Sequence, residues 1–453
     1  MSRLPLLLVP LLVAAAASPA ASETLPSALA RAYAANPTLN AERASVRATD
    51  ENVPQALAGL RPRVTTEADA GIARESGRQG GVAFRETLLP RSVGLTVTQP
   101  LFDGFRTQNA TRGAEAGVLG ARETLLDVER QTLLDGATAY MDALRDTAAL
   151  ELQRNNVSVL ETQVYQTRER NIAGEVTRTD VAQAEARLAA ARSQVSLAEA
   201  NLRATLARYR QVIGAEARQL APGRPVDALI PRDVADAVRL GLAAHPAIRS
   251  ALQAVDVAES QVKVVEGELL PSLNAVGSVQ RAYDQEEITR LTAASVAARL
   301  TVPIYEGGEV YARVRQAKET VAQRRIEVEV VRDQVRAAVV AAWGQLDAAK
   351  AQVTASQAQV QANEVALNGV REEARAGQRT TLDVLNAQQE LLGARVNLVF
   401  AQRDRVVSTY AVLSAVGGLS ARTLDLTVAR YEPKQHFDQV KGLWFGARTP
   451  DGR

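Results

Sequence analysis

The stretch AGEVTRTDV at Ala173–Val181 recurs as AGQRTTLDV at Ala376–Val384, about 200 residues later. Four further pairs of segments recur in the same order along the chain. This order indicates a duplicated domain, because the repeats of solenoid proteins are far shorter than 200 residues. The four pairs are Asn36-Pro37 with His245-Pro246, Pro62 with Pro271, Thr98–Gly104 with Thr301–Gly307, and Gly214 with Gly417.

Each copy of the opening stretch has the features of a tight turn between two helices. A glycine stands where a helix ends in a left-handed residue. The spacing Thr-x-x-Asp that follows is that of a capping box, which opens the returning helix. Both aspartates are therefore first explained as capping carboxylates. The residues are Gly174, Thr177 and Asp180 in the first turn, and Gly377, Thr380 and Asp383 in the second.

Long helices are predicted on both sides of each turn. Apolar or small residues recur at alternating steps of three and four from Val181 to Val212, from Val339 to Val370 and from Val384 to Ala415. This is the heptad spacing of a coiled coil. The stretch Gly104–Arg170 lacks proline and would extend about 100 Å at 1.5 Å per residue. A helix pair of that length buries little of itself, so we expect other copies of the chain to surround it.

Two strands are predicted before each long helix, where apolar and polar residues alternate with the period of a sheet. Polar, glycine-rich segments at 74–85 and 281–290 are predicted to be exposed loops between the strands of each pair. Four strands cannot close a barrel, and an open edge cannot face lipid, so other chains must complete it. The strands are predicted at Val64–Ile72, Val93–Phe102, Ser272–Gln280 and Ala294–Ile304.

Composition excludes several classes of function. The chain has no cysteine and only two histidines, His245 and His436. Thiolate chemistry is therefore excluded, and a metal site or catalytic triad based on histidine is disfavoured. The net charge of +2 and the intermixed signs give no support for binding nucleic acid. No phosphate-binding Gly-Lys loop is present in the sequence. We therefore predict no catalytic site, no metal and no cofactor.

The segments of the chain can be assigned in order. Arg3, an apolar run to Ala17 and small residues at 18–22 predict a signal peptide at 1–22. The first structural repeat is predicted at 23–220 and the second at 221–429. The remaining residues, 430–453, are predicted to be a C-terminal tail that packs on the helices or is partly disordered.

The chain resembles the TolC family of outer-membrane efflux and secretion channels. The resemblance is carried by the duplication, Asn36-Pro37, His245-Pro246, the junction Gln99–Gly104 and the turn Gly377–Leu385. It implies a mixed membrane protein, part β-barrel and part helical coiled coil. Three chains of four strands each would form a twelve-stranded outer-membrane barrel above a twelve-helix periplasmic tunnel. The expected partners are outer-membrane lipid, a periplasmic adaptor (membrane fusion) protein and, through it, an inner-membrane ABC or proton-driven transporter.

The resemblance also implies a gate at the periplasmic end. Asp180 matches an aspartate that holds the entrance shut, and Arg379 matches an arginine that pairs with it across helices. Asp383 matches an aspartate that forms a cation-attracting ring. The chain departs from some family members at Ala374, where they have a tyrosine, and at Asn386, where a second aspartate can occur. The tips that would dock the adaptor carry Gly174, Thr177, Gly377 and Thr380.

The resemblance favours a passive conduit for export. Because the chain has no cysteine that could carry a lipid anchor, channels for type I protein secretion, or channels shared between secretion and drug efflux, are favoured, and type I protein secretion is the preferred branch. The alternative is a channel for multidrug or small-molecule efflux. A more distant alternative is the periplasmic adaptor itself, which should have one helical hairpin flanked by β-rich domains, whereas this sequence predicts two hairpins in tandem.

Overall fold

A computed structural model describes residues 22–285 and 288–452. The predicted signal peptide at 1–22 therefore lies outside the described residues, except for Ser22. The described chain divides into two compact units, each assembled from three segments. Unit 1 comprises the residues up to Ala32 together with Gly136–Pro225 and Val353–Val406. Unit 2 comprises Tyr33–Asp135, Val226–Gln352 and Val407–Arg453.

Both halves contain short helices, strands of one sheet, a long helix and a shorter helix in this order, as predicted, and the first half has an additional short helix and an additional pair of strands. The helices α4 (Arg106–Ile172) and α8 (Glu309–Arg375) have 67 residues each, and α5 (Arg178–Ile213) and α9 (Thr381–Ala415) have 36 and 35, so the duplication extends to helix length. The first half comprises α1 (Leu25–Ala35), α2 (Pro37–Asp50), α3 (Asn52–Leu57), β1 (Arg63–Ala70), β2 (Ala73–Gln79), β3 (Val82–Leu88), β4 (Arg91–Phe102), α4 (Arg106–Ile172) and α5 (Arg178–Ile213). The second comprises α6 (Val234–Ala244), α7 (Pro246–Glu266), β5 (Ser272–Gln285), β6 (Ile288–Thr301), α8 (Glu309–Arg375) and α9 (Thr381–Ala415), and is followed by α10 (Pro433–Val440).

Four strands form one antiparallel sheet in unit 2, in the order β1-β4-β5-β6. The register places Leu95 opposite Val279, and Val279 opposite Ala294. Apolar residues therefore share one face across neighbouring strands. Within the described residues, β1 and β6 are the edges of this sheet, and each has one side without a partner strand.

The two predicted loops are wrong in part, because both contain strand. Residues 74–85 lie largely in β2 and β3, which pair with each other as a separate hairpin. β5 and β6 have 14 residues each and take up most of 281–290. In the hairpin, Arg74 lies opposite Thr87 and Glu75 opposite Glu86. Every residue of β2 is polar except Ala73 and Gly77, so no alternation of apolar and polar residues marked β2 as a strand.

The paired motifs Asn36-Pro37 and His245-Pro246 begin helices α2 and α7. The Asn36 side chain accepts hydrogen bonds from the backbone N–H groups of Thr38 and Leu39 at 2.9 and 3.3 Å. In the second half, Nδ1 of His245 accepts from the backbone N–H of Ala247 at 3.1 Å. Proline at the first helical position needs no donor of its own. The two motifs are thus equivalent caps made by different side chains.

The long helices bury part of their heptad positions, as predicted. Ala184 and Ala191 of α5 are buried, as are Leu391, Ala394 and Ala401 of α9. Other apolar side chains of α8 stay exposed in the single chain, among them Ile326 and Val330. Within the described parts of the chain, no helix combines the length and the hydrophobicity needed to cross a bilayer.

Unit 1 contains a buried polar core around Tyr140 and Tyr209. The Tyr140 hydroxyl lies 2.7 and 2.6 Å from the carbonyl oxygens of Glu23 and Ala221, and the Tyr209 hydroxyl donates to Oε1 of Glu23 at 2.6 Å. Burial raises the pKa of both phenols to about 12, so they act as neutral donors. This core ties Glu23 and the connection after α5 to the long helices.

In unit 2 the predicted tail is ordered along α2. Nδ1 of His436 in α10 lies 2.9 Å from Oδ2 of the buried Asp50, which is the last residue of α2. The backbone N–H of Tyr431 donates to the Tyr33 hydroxyl at 3.1 Å. The Arg43 guanidinium lies 4.4 Å from the ring centre of Tyr33 and 5.5 Å from that of Tyr431. These contacts dock the tail on the helix that leads to β1.

Candidate functional site: the two hairpin tips

The two tips in unit 1 have the same backbone construction. Gly174 and Gly377 adopt left-handed φ angles of 78° and 75° after α4 and α8. In the first tip the backbone N–H of Glu175 donates to the carbonyl of Arg170 at 2.9 Å. In the second, Gln378 donates to Glu373 at 2.9 Å. These bonds satisfy carbonyl groups that the helix ends leave open, so both turns are fixed by backbone geometry.

Both predicted capping boxes are present. Oδ2 of Asp180 accepts from the backbone N–H of Thr177 at 2.9 Å and from its hydroxyl at 2.7 Å, while Thr177 Oγ1 accepts from Asp180 N–H at 3.2 Å. Thr380 and Asp383 form the same three contacts at 3.0, 2.8 and 3.2 Å. The two aspartates therefore stabilise the first turns of α5 and α9.

The capping bonds also set the charge of the tips. The hydroxyl of Thr177, and then its backbone N–H, lower the pKa of Asp180 below its usual range. The backbone N–H of Thr380, and then its hydroxyl, lower the pKa of Asp383 in the same way. Hydrogen bonds to the charged form favour ionisation. Both carboxylates are thus negative at any pH near neutrality.

The tips of one chain face a common open cleft of about 850 Å³. Threonine hydroxyls and charged groups dominate its walls, and arginines outnumber the carboxylates. The cleft can accept polar or charged groups of a partner more readily than an apolar ligand. Its charged lining residues are Arg170, Glu175, Asp180, Arg371, Arg375 and Arg379.

Arg379 does not pair with Asp180 in a single chain. Its Nε donates to Oε2 of Glu373 at 2.9 Å, and this contact, with the charge of Glu373, raises the pKa of Arg379. Among the described residues of one chain, no ion pair joins Arg379 to Asp180. The predicted Asp180–Arg379 link stays a prediction.

Sequence reasoning missed a ladder of ion pairs between α4 and α5. The separations are 2.7 Å for Arg154 with Glu199, 2.8 Å for Arg192 with Glu161, and 2.5 Å for Arg168 with Glu185. Each helix alternates the sign of its charge at steps of seven residues, and the antiparallel partner has the opposite sign. This alternation is visible in the sequence and could have predicted the ion pairs.

A further contact was missed at Asn386, where family members can carry a second aspartate. Nη2 of Arg187 in α5 donates to Oδ1 of Asn386 in α9 at 2.9 Å. The position therefore joins the two hairpins of one chain. Nearby, Leu385 packs with Leu160, Val164 and Ala184, so the hairpins also share apolar contacts just behind the tips.

The family model for outer membrane efflux proteins matches residues 28–215 and 237–418, one match in each half of the duplication. The chain belongs to this family. This confirms the resemblance to TolC-like channels. The protein is therefore an outer-membrane efflux channel that extends into the periplasm, and as a member of a channel family it is not an enzyme, as predicted.

Individual proteins support the assignment. The chain is 42% identical to the outer membrane efflux protein BepC of Brucella suis, over 96% of this chain and 94% of that protein. It is 28% identical to the alkaline protease secretion protein AprF of Pseudomonas aeruginosa, over 74% and 72% of the two chains. The crystal structure of the Campylobacter jejuni CmeC outer membrane channel matches 92% of this chain and 89% of its own, with a TM-score of 0.78 at 16% identity. That structural match confirms the predicted fold of the single chain.

Proposed function

We propose that the protein is the outer-membrane conduit of a tripartite export system and works as a homotrimer. The observation that carries the proposal is the four-stranded sheet, whose edges β1 and β6 each lack a partner strand within the described chain. A sheet edge cannot face lipid with its backbone groups unpaired. Pairing β6 of one chain with β1 of the next satisfies both edges, and three copies give twelve strands.

The helices support the same assembly. α8 exposes Tyr311, Ile326, Val330 and Val340 in the single chain. Apolar side chains along a helix of 67 residues need a covering surface, and neighbouring copies of the chain supply one. We assign the hairpin tips, with Gly174, Thr177, Gly377 and Thr380, as the docking site for a periplasmic adaptor. We assign Asp180, Arg379 and Asp383 to the gate.

The tips fit a role as a docking site and gate for physical reasons. Both turns have a fixed backbone, whereas their charged side chains are exposed and joined by surface ion pairs. Exposed ion pairs contribute little to stability because solvent screens them, so a partner can rearrange them at little cost. A ring of ionised Asp383 carboxylates at a narrow entrance would attract cations.

Two classes of cargo are supported by different relatives. The more similar of the two relatives above, BepC, is an outer membrane efflux protein, and AprF is an alkaline protease secretion protein. We place efflux first on the strength of the 42% identity, and type I protein secretion, which the sequence favoured, second. One channel serving both is consistent with a passive conduit.

A deletion strain tests the cargo directly. The gene is removed, and culture-supernatant proteins and sensitivity to dyes, bile salts and antibiotics are compared with the complemented strain. Hypersensitivity with an unchanged set of secreted proteins supports efflux. Loss of one or a few secreted proteins with unchanged sensitivity supports type I secretion and contradicts our first choice. If neither changes in the deletion strain, the proposed export function is wrong.

A further inference from the structure

A short segment after α10 exposes three large apolar side chains. The segment is Gly442–Arg448, GLWFGAR, and we call it the Trp444 segment. Leu443, Trp444 and Phe445 are 47%, 64% and 92% exposed. Exposed apolar area costs about 25 cal/mol per Å², and contiguous apolar side chains of this size usually mark a contact surface.

Successive contacts place the Trp444 segment beside the start of the sheet. Tyr431 contacts Arg43 near the middle of α2, and its hydroxyl donates to the Arg43 carbonyl at 3.3 Å. His436 contacts Asp50 at the end of α2. Leu443 and Trp444 then contact Arg61. Later residues of the tail contact later residues of the segment from α2 to β1. The tail therefore runs parallel to α2 and α3 toward β1.

Arg61 holds the Trp444 segment at the junction between the helical residues after α3 and β1. It lies two residues before Arg63, the first residue of β1. Its Nη1 donates to the carbonyl of Leu443 at 2.6 Å, and its guanidinium lies 4.9 Å from the ring centre of Trp444. The contact joins a hydrogen bond to a cation–π interaction, which together hold the indole beside the end of the sheet.

Other apolar side chains are exposed at the same end of the sheet. They lie just before β1 and β5, near the end of β4, and in the connections to α4 and α8. An apolar band at the ends of membrane strands is the usual position of an interfacial girdle. These side chains are Leu60, Leu101, Phe105, Leu270, Ile304 and Tyr305.

We propose that the Trp444 segment binds the periplasmic leaflet of the outer membrane, with Trp444 and Phe445 at the level of the lipid headgroups. Tryptophan favours this interface because its ring is apolar and its N–H can be hydrated. The only charged residue of the segment is Arg448, which suits an anionic phospholipid surface. The inference rests on the proposed position of the four-stranded sheet in the membrane. It makes the tail a second attachment to the membrane, separate from the sheet.

The chain offers a clean fluorescence test because Trp343 and Trp444 are its only tryptophans. The variant W343F leaves Trp444 as the single reporter. The purified channel is reconstituted into phosphatidylethanolamine–phosphatidylglycerol vesicles, with or without bromine on the lipid tails. We expect Trp444 emission to shift to shorter wavelength on reconstitution and to lose intensity in the brominated vesicles.

Two matched controls separate this inference from the proposed function. The variant W444F leaves Trp343 as the single reporter. Trp343 lies 34 residues beyond the start of α8, which is about 50 Å along the helix. The emission of Trp343 should be unaffected by bromine. V296W, placed in the W343F/W444F background, reports on the exposed face of β6 and should be quenched.

Each outcome has one meaning. Quenching at position 296 without quenching at 444 overturns the inference and leaves the membrane position of the sheet intact. A blue shift of Trp444 without quenching shows that protein, such as a neighbouring chain, covers the segment, and also overturns it. Quenching at neither position contradicts the proposed position of the sheet itself.

Discussion

Asp180 and Asp383 already serve their own helices, which constrains any further role. Each carboxylate accepts bonds from the threonine three residues earlier through a single oxygen, Oδ2. An ionised carboxylate has about four lone-pair sites, so Oδ1 stays available to an arginine of another chain. Capping and gating are thus compatible. A substitution at either aspartate must preserve the cap if it is to report on the gate.

Removing the gate charges should raise the open-channel conductance in planar bilayers. Asp180→Asn keeps an oxygen that can accept from Thr177 but removes the charge, and Arg379→Gln removes its proposed partner. We expect both to increase conductance, because three weak links would be lost together. Glu373→Gln is the matched control, since it breaks only the contact within one chain and should leave conductance unchanged. Unchanged conductance in both gate variants would rule out the Asp180–Arg379 link.

His245 should make stability depend on pH through its cap. Burial, and then the charge of Arg130, lower the pKa of His245, and its Nδ1 must be unprotonated to accept from Ala247. A lowered folded-state pKa gives stability that is present above the unfolded value of about 6.5 and is lost as pH falls through the folded value. His245→Asn, which copies Asn36 of the first half, should keep the cap and remove this part of the acid sensitivity. Thermal unfolding at pH 5 and pH 8 measures it, and equal pH dependence in both proteins would refute the role.

At the scale of elements, the hairpin turns depend on backbone conformation more than on side-chain contact. A Cβ added at Gly174 or Gly377 would meet no atom within 4 Å, so any cost comes from the left-handed φ alone. That cost is about 1 kcal/mol for an alanine. The turns can therefore be perturbed without disturbing packing.

Alanine at either turn glycine should loosen the tip. We expect Gly174→Ala and Gly377→Ala to increase the rate of limited proteolysis at the affected turn. Gly369→Ala is the matched control, because Gly369 lies inside α8 with no atom within 4 Å of an added Cβ. There alanine should stabilise the helix by about 0.5–1 kcal/mol and should not speed cleavage. Faster cleavage in the control, or none in the turn variants, would show that φ does not control the tips.

At the scale of the whole molecule, the open edges β1 and β6 determine the assembly. Because the chain has no cysteine, Thr66→Cys in β1 and Ala297→Cys in β6 would be its only thiols. A bifunctional maleimide should cross-link the double variant in membranes into products that end at three chains on a denaturing gel. Thr66→Cys alone should give mainly single chains. Products that stop at two chains, or continue beyond three, would contradict the trimer.

Several features could be predicted because they depend on local sequence. The duplication, the long helices, the capping boxes at Thr177 and Thr380 and the four strands of the main sheet all rest on spacing or on residue type over short distances. The β2–β3 hairpin was missed because β2 is polar except at Ala73 and Gly77 and therefore shows no alternation. The pairing of Arg379 with Glu373 was missed because several neighbouring charges compete for one arginine, and spacing does not select among them.

The sequence by itself determined the family, the repeated order of elements and the identity of the residues at both tips. Apart from the two capping boxes, only the tertiary structure decided which of those residues are in contact. It showed that Asp180 and Arg379 are engaged separately within one chain, and that the tail runs along α2 to place Trp444 beside Arg61. The physical reason is the separation along the chain: caps and turns join residues two to five positions apart, whereas the Arg61–Leu443 contact joins residues 382 positions apart. No local pattern encodes a contact of that separation.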